Sequence, residues 1–530
     1  MNKKFILSSL LCGTLALTGC TDLGETLYSD IPTNEYGKTD EEIATIVGGA
    51  YSTLRGYGSG TDEGNGVNCY PTCEYVFFLL ECSSDEACIP TRGTDWYDGG
   101  RYQQWQYHKW TPQNDGMTAL WRYAFTGVSK TNATIYQVEN SGLSEEALRK
   151  VKAQLRGLRA YYYTQLVDQF GNVPINTKFE YANEEEENEQ LSTKSRKEVF
   201  DFIVSELNDV LPDLPAKGYG IIDQGVANAL LARMYLNAKV YTGKEMYQEC
   251  LDACDRIKGY SLTGDYSASF ATKNETSPEI ILAIPYDHSK GTVGNYLASM
   301  SYHYNQKYAF DPNGVWQWSG NGICAQPGIW SSYEEGDVRR DKTLLIGQQK
   351  SAKDGSDVMM DNGEPLNYTE DIVTYHNALQ NEGARLNKYE VQATDQWERD
   401  NDWVLIRYAE VLMMQAEANY RLGNSMAALG YLNQIRNRAG LTGLNVLDDK
   451  ALEAEWLHEF CMEGLRRTVS IRFGTFGNKG FDGTPWPATM SDDFNGAANV
   501  ADTDKHWELF AIPAVEMEKN PRLVQNDGYR

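Results

Sequence analysis

Residues 402–438 read DWVLIRYAEVLMMQAEANYRLGNSMAALGYLNQIRNR, and the fold is decided by this stretch. Apolar residues recur at helical spacing on both sides of Gly423-Asn424, which predicts helices over 402–422 and 425–438 joined by a tight turn and packed antiparallel. Ala409, Ala416, Ala418, Ala427 and Ala428 are small residues at the crossings of such a pair.

The same period runs upstream. A helix is expected over 117–140 and another over 145–169, where Leu148, Val151, Leu155, Leu158, Tyr162 and Leu166 form one stripe that Gly171 and Pro174 end. Ser195 and Glu198 make a capping box for a helix carrying Val199 or Phe200, Ile203, Leu207 and Leu211. Over 225–241 there are two adjacent apolar rows, Val226, Leu230, Met234, Ala238 and Ala227, Leu231, Tyr235, a face wide enough to be buried on both sides. Further helices are expected over 244–257 and 449–468, and one opens at the Thr39/Glu42 capping box with Ile43, Val47, Ala50 and Leu54 inward. Residues 56–116 are irregular and too long for a simple connection, which makes them a candidate functional segment. Residues 258–401 mix polar loops with short strand-like pieces such as Ile280–Ile284. The expected architecture is mainly α: tetratricopeptide-like helix pairs form a scaffold (39–257 and 402–530), interrupted by a loop-rich insertion with short strands (258–401), all in one domain over 39–530.

The N-terminus reads as targeting. Lys3 and Lys4 precede the apolar run Phe5–Leu17, too short to span a bilayer, and Leu17-Thr18-Gly19-Cys20 resembles a bacterial lipobox. That likeness implies a signal peptide over 1–19, lipid chains on Cys20 as membrane anchor, and a polar leash over 20–38. No later stretch is long and apolar enough to cross a membrane.

Asp and Glu number 74 against 48 Lys and Arg, for a formal charge of −26, so polyanionic nucleic acid would be repelled while a neutral ligand would be indifferent to the field. The Glu184–Glu187 run reads as a solvated loop. The 34 Tyr and 12 Trp suit both sugar binding and helix packing. Cys69, Cys73, Cys82 and Cys88 cluster in the N-terminal third and allow either disulfides or buried thiols; Cys250 and Cys254 share one helix face. The chain carries no Gly-x-Ser-x-Gly elbow, His-Glu-x-x-His pair or phosphate-cradling loop, and its six His are scattered. No metal site or cofactor is expected; the acidic, Gly-rich stretch 61–66 is compatible with a structural Ca2+, although its spacing matches no calcium loop.

Several segments in order resemble the SusD/RagB family of glycan-binding outer-membrane lipoproteins. They are the lipobox; Leu158-Arg159-Ala160-Tyr161-Tyr162-Tyr163 leading to Phe170-Gly171-Asn172-Val173-Pro174; Ala229-Leu230-Leu231-Ala232-Arg233-Met234-Tyr235-Leu236; and Leu405-Ile406-Arg407-Tyr408-Ala409-Glu410-Val411. Glu463-Gly464-Leu465-Arg466-Arg467, Ile471-Arg472-Phe473-Gly474 and the end from Phe510-Ala511-Ile512-Pro513 to Asn526-Asp527-Gly528-Tyr529 continue the match. The resemblance implies four tetratricopeptide-like helix pairs carrying a loop-rich sugar-binding side. It also implies attachment to the outer membrane facing the exterior, and a SusC-like TonB-dependent transporter as partner for oligosaccharide import.

A sugar ring offers an apolar C–H face and a rim of hydroxyls, so exposed aromatic rings flanked by polar groups suit it. The segment 84–101 provides Trp96 and Tyr97 with Arg92, Asp98 and Arg101, and the insertion provides Tyr302, Tyr304, Trp316 and Trp318, with Trp330 beyond. Binding without catalysis is the expectation. The alternatives are a helical-repeat adaptor for envelope proteins, and a glycoside hydrolase drawing two carboxylates from Asp85, Glu86, Asp95 and Asp98.

Overall fold

The computed structural model describes residues 39–530 except 73–74, 293, 315–318, 394, 396–398, 478, 482, 484–504 and 530. The segment expected to be a signal peptide, Cys20 and the expected leash thus lie outside the described residues.

Helix α1 (Asp40–Tyr51) starts at the Thr39/Glu42 capping box and is followed by two short helices, α2 (Phe77–Cys82) and α3 (Arg101–Gln106), inside the segment expected to be irregular. Helix α4 (Asp115–Glu139), capped by Asn114, pairs with α5 (Glu145–Gln169), capped by Ser144. Gly127 lets the two axes approach, since a Cβ there would run into the Tyr162 ring. Glu184–Glu187 opens a helix, α6 (Glu184–Leu191), instead of a loop: Asn183 caps it, and four carboxylates in the first turn complement the free N–H groups. Helix α7 (Arg196–Val210), with the Ser195/Glu198 box, packs on α5.

Helix α8 (Gln224–Leu236) is buried along nearly its whole circumference, as its two apolar rows predict. After α9 (Ala238–Thr242), helix α10 (Tyr247–Asp255) packs on α8.

The strands are short: β1 (Ala87–Cys88), β2 (Ile280–Ile284), β3 (Cys324–Ala325), β4 (Leu344–Leu345), β5 (Gly347–Gln348), β6 (Asn367–Tyr368), β7 (Arg385–Leu386) and β8 (Trp403–Arg407). They form antiparallel pairs β1–β3, β2–β8, β4–β7 and β5–β6. Four short helices lie among them: α11 (Leu297–Ser301), α12 (Lys307–Phe310), α13 (Ile329–Ser332) and α14 (Val338–Thr343). Because β2 pairs with β8, the chain leaves the helical scaffold and returns to it at neighbouring strands.

The first helix of the decisive pair is shorter than its pattern predicts. Residues 403–407 are β8, buried at Trp403, Val404, Ile406 and Arg407, and α15 (Tyr408–Arg421) begins only after them. Val404 and Ile406 favour an extended chain, and β2 supplies the ladder. Helix α16 (Ser425–Arg438) follows and packs antiparallel on α15, which also contacts α8 and α10. The helix expected over 449–468 is two, α17 (Asp449–Phe460) and α18 (Arg466–Phe473), broken where Met462 and Gly464 take φ of 61° and 76°. A last helix, α19 (Ala514–Lys519), lies near the C-terminus.

Buried ion pairs tie these elements together. Arg233 of α8 holds Glu410 of α15, and Arg472 of α18 holds Glu417. Arg407 reaches Glu279 and Glu459, both essentially inaccessible, and the partly buried Glu463. Burial alone would push the Glu459 carboxyl up, but Arg438, Arg407 and Arg339 together hold it well below its ordinary range.

Cys69, Cys82 and Cys88 are buried free thiols, not bonded to one another, and Cys73 lies outside the described residues. Cys250 and Cys254 are also free. The 61–66 stretch forms a turn in which Glu63 pairs with Lys130.

Candidate functional site

The segment 84–101 leaves the scaffold firmly anchored. Asp85 is paired with Arg466, and the buried Glu86 accepts the backbone N–H of Met462. Glu81, also buried, accepts the N–H of Gly464 at 2.6 Å. The chain then pairs β1 with β3, turns at an Arg92–Asp95 bridge, and enters a run of left-handed residues: Gly93, Trp96, Asp98, Gly99 and Gly100. A positive φ at a bulky residue costs about 1–3 kcal/mol and persists only where the surroundings enforce it.

At Trp96 the surroundings do enforce it. The indole N–H donates to the Gly320 carbonyl at 2.5 Å, and the ring packs at 6.4 Å from Phe78 and 5.6 Å from Tyr102. Gly322 receives the ring edge; a Cβ there would stand 2.5 Å from it. Trp96 is therefore a half-buried wedge joining the 92–98 loop to the 320–322 turn. The next residue, Tyr97, is 53% exposed. The Tyr304 phenol donates to the Asp95 carboxylate, and burial together with that carboxylate pushes the phenol's ionisation up. The structure thus brings together Asp95, Trp96, Tyr97, Asp98 and Tyr304, with Asp98 exposed at the start of the turn into α3.

Other expected residues fall elsewhere. Arg92 is 1% exposed: its guanidinium donates inward to the carbonyls of Leu379 and Glu382. Tyr302 is fully buried, its hydroxyl donating to Asn387, because α11 carries it into a small apolar cluster with Ala298. Neither side chain reaches the surface. Arg101 turns to Asp115 at 2.9 Å and lies over the Tyr75 ring. Trp330 is half-buried, covered by Arg340 at 4.1 Å. Trp316 and Trp318 lie outside the described residues.

Sequence reasoning missed the floor of the site, Gly320-Asn321-Gly322. Asn321 has φ 52°, accepts from Arg385 and donates to Gln380. The Gly-Asn-Gly triplet was the available signal, since it marks a turn needing left-handed backbone.

Among the described residues Asp95, Tyr97 and Asp98 are exposed on this face. Two cavities lie elsewhere: one of about 550 Å3 lined by Tyr219, Asp287, Lys290, Asp400 and Asp402, and one of about 400 Å3 lined by Asp265, Lys342, Asn387 and Glu390. Of the four carboxylates near Trp96, Asp85 and Glu86 are committed to the scaffold and Asp95 to Tyr304. Among the described residues no cluster of three or more His, Cys, Asp or Glu could hold a metal ion.

A scaffold of helix pairs that presents the strained 95–98 turn and the exposed Tyr97 at its surface defines the class: a mainly α scaffold protein with a loop-borne surface site. Within that class the chain belongs to the SusD/RagB family. A model described as "SusD family" matches residues 278–529, and one described as "Starch-binding associating with outer membrane" matches residues 91–236. The chain is 26% identical to the starch-binding protein SusD of Bacteroides thetaiotaomicron, covering 99% of both chains. It is 24% identical to SusD-like protein P2 of Formosa agariphila, covering 99% of this chain and 100% of the relative. Its fold matches surface glycan-binding protein A from Bacteroides thetaiotaomicron with a TM-score of 0.71 at 22% identity, over 93% of this chain and all of that one. A structure of that protein in complex with laminarihexaose matches with a TM-score of 0.69 at 21% identity, over 92% and 100%.

Proposed function

We propose that this chain is a lipid-anchored outer-membrane protein, held by Cys20 and facing the cell exterior, that binds an oligosaccharide or polysaccharide on the Trp96–Tyr97 face. It hands the glycan to a SusC-like TonB-dependent transporter and does not cleave it. The observation that carries this reading is the 95–98 turn, where Trp96 is locked in a left-handed conformation and Tyr97 is left exposed beside it. An exposed ring of this kind can stack on a glycan chain lying along the surface, and the formal charge of −26 does not hinder an uncharged ligand. The relatives' names, starch-binding in one and laminarihexaose-bound in another, support a glycan as the ligand class.

Affinity electrophoresis in gels containing starch, laminarin and other polysaccharides tests the proposal. Retardation by one glycan that Tyr97→Ala weakens is the expected result. Indifference to every glycan would overturn it in favour of an adaptor, and accumulation of reducing ends would reveal a hydrolase.

A further inference from the structure

Strand β1 carries Cys88 directly opposite Cys324 on β3, and the two sulfurs stand 3.7 Å apart. Both residues are fully buried. They are 236 positions apart in sequence, and one precedes the 92–98 loop while the other follows the 320–322 turn. Directly opposed residues of an antiparallel pair have Cα atoms about 4.5–5.5 Å apart, inside the range a disulfide requires. Cys250 and Cys254 lack this geometry: they point side by side from one helix, α10.

We propose that Cys88 and Cys324 are a disulfide site, oxidised by exchange with a thiol–disulfide donor as the chain folds. One cysteine thiolate attacks a donor disulfide and displaces the first donor thiolate. The other cysteine thiolate then attacks the resulting mixed disulfide and displaces the second. Two protein thiols and one donor disulfide become one protein disulfide and two donor thiols; the two protons pass to the departing thiolates, and the donor is reduced by the two electrons the protein loses. The bond fastens the strands beneath both walls of the Trp96 site. It links the 92–98 loop to the Gly320–Gly322 floor covalently, where the Trp96 indole already links them by one hydrogen bond. Burial in the folded state explains why the bond must form before the strands close, and why it would resist reduction afterwards.

The test needs no glycan and no assumption about cellular location. The purified full chain is unfolded and refolded in a buffer of glutathione and glutathione disulfide. Remaining thiols are alkylated under denaturing conditions, and the unreduced digest is mapped by mass spectrometry. The expected result is a linked peptide pair containing Cys88 and Cys324, two hydrogens lighter than the sum of its parts, with Cys69, Cys250, Cys254 and Cys461 alkylated. The oxidised chain should also melt higher than the same chain reduced, and Cys88→Ser or Cys324→Ser should abolish that difference. Recovery of Cys88 and Cys324 both alkylated from refolded protein would overturn the proposal, as would a dominant link from either one to another cysteine.

Discussion

Replacing Tyr97 and Trp96 in turn separates ligand contact from architecture. Tyr97 is 53% exposed, so Tyr97→Ala should leave the melting temperature essentially unchanged. If its ring stacks on a sugar, the loss is on the order of 1 kcal/mol, which weakens binding roughly fivefold. Trp96→Ala removes a half-buried ring packed on Phe78, Tyr102 and Gly322 and the hydrogen bond to the Gly320 carbonyl. Large aromatic truncations cost about 3–5 kcal/mol, to which the hydrogen bond contributes about 1 kcal/mol. Trp96→Ala should therefore lower stability and binding together. Trp96→Phe, which keeps a ring but loses the indole N–H, should cost about 1 kcal/mol of stability and less affinity. The assays are differential scanning fluorimetry and isothermal titration with whichever glycan retards the wild-type chain. Unchanged affinity in Tyr97→Ala, with Trp96→Ala weakening binding only in proportion to its unfolded fraction, would show that the ligand sits elsewhere and that Trp96 is architectural.

Arg407→Met leaves Glu279, Glu459 and Glu463 buried around an uncharged side chain, and should cost about 3–5 kcal/mol in a denaturant titration, with Arg407→Met/Glu459→Gln recovering part of it. Glu86 is pushed up to about 7 chiefly by burial, against the pull of the Met462 N–H and of Arg466 and Lys388. Its contribution to stability is thus present below pH 4.5 and lost as pH rises through about 7, so the stability of wild type relative to Glu86→Gln should fall between pH 5 and pH 8 by up to about 3 kcal/mol. His303 and His458, held down to about 4 mainly by burial, favour folding as pH rises, which is why the difference between variant and wild type is the quantity to measure in thermal melts. Gly127→Ala drives a methyl into the Tyr162 ring between α4 and α5 and should cost about 1–3 kcal/mol, read as a lowered melting temperature.

Legibility followed the range of the interactions involved. Helix starts set by local chemistry, at Thr39/Glu42 and Ser195/Glu198, and the paired helices α4 and α5 stand where periodicity and capping put them. Residues 402–407 misled because their apolar spacing is shared by helix and buried strand, and the partner that decides the matter, β2, lies more than a hundred residues upstream. The break inside 449–468 is likewise long-range, since the N–H groups of Met462 and Gly464 leave the helix to serve Glu86 and Glu81. At the site, residue type suggested Arg92 and Tyr302 as sugar contacts, but carbonyls of Leu379 and Glu382 and the hydroxyl's partner Asn387, all distant in sequence, draw them inward. The same limit applied to the cysteines: proximity in sequence grouped Cys88 with Cys69, Cys73 and Cys82, whereas the strand register faces it with Cys324.

Charge placement explains how a mainly helical frame can hold a strained loop. A left-handed Trp96 is unfavourable in an isolated turn; the contacts of its own ring hold it, and the anchored ends of the segment add to them. At one end Glu81, Asp85 and Glu86 each engage the 462–466 turn between α17 and α18, through two backbone N–H groups and Arg466. That turn is in turn bound to β8 and the insertion, since Glu463 receives both Arg407 and Lys388. At the other end Arg101 is clamped by Asp115 at the start of α4. Fifteen residues thus lie between two fixed points, Asp85 and Arg101, and where the scaffold holds those points constrains the conformation between them. Substituting Arg466 by Met should therefore loosen a loop it does not touch: the quenching by a neutral quencher that is attributable to Trp96, read as the difference from the matching Trp96→Phe chain because the sequence has 12 Trp, should rise while the helical circular dichroism signal is largely retained. Unaltered quenching in a folded Arg466→Met chain would refute this coupling and place the source of the strain within the loop itself.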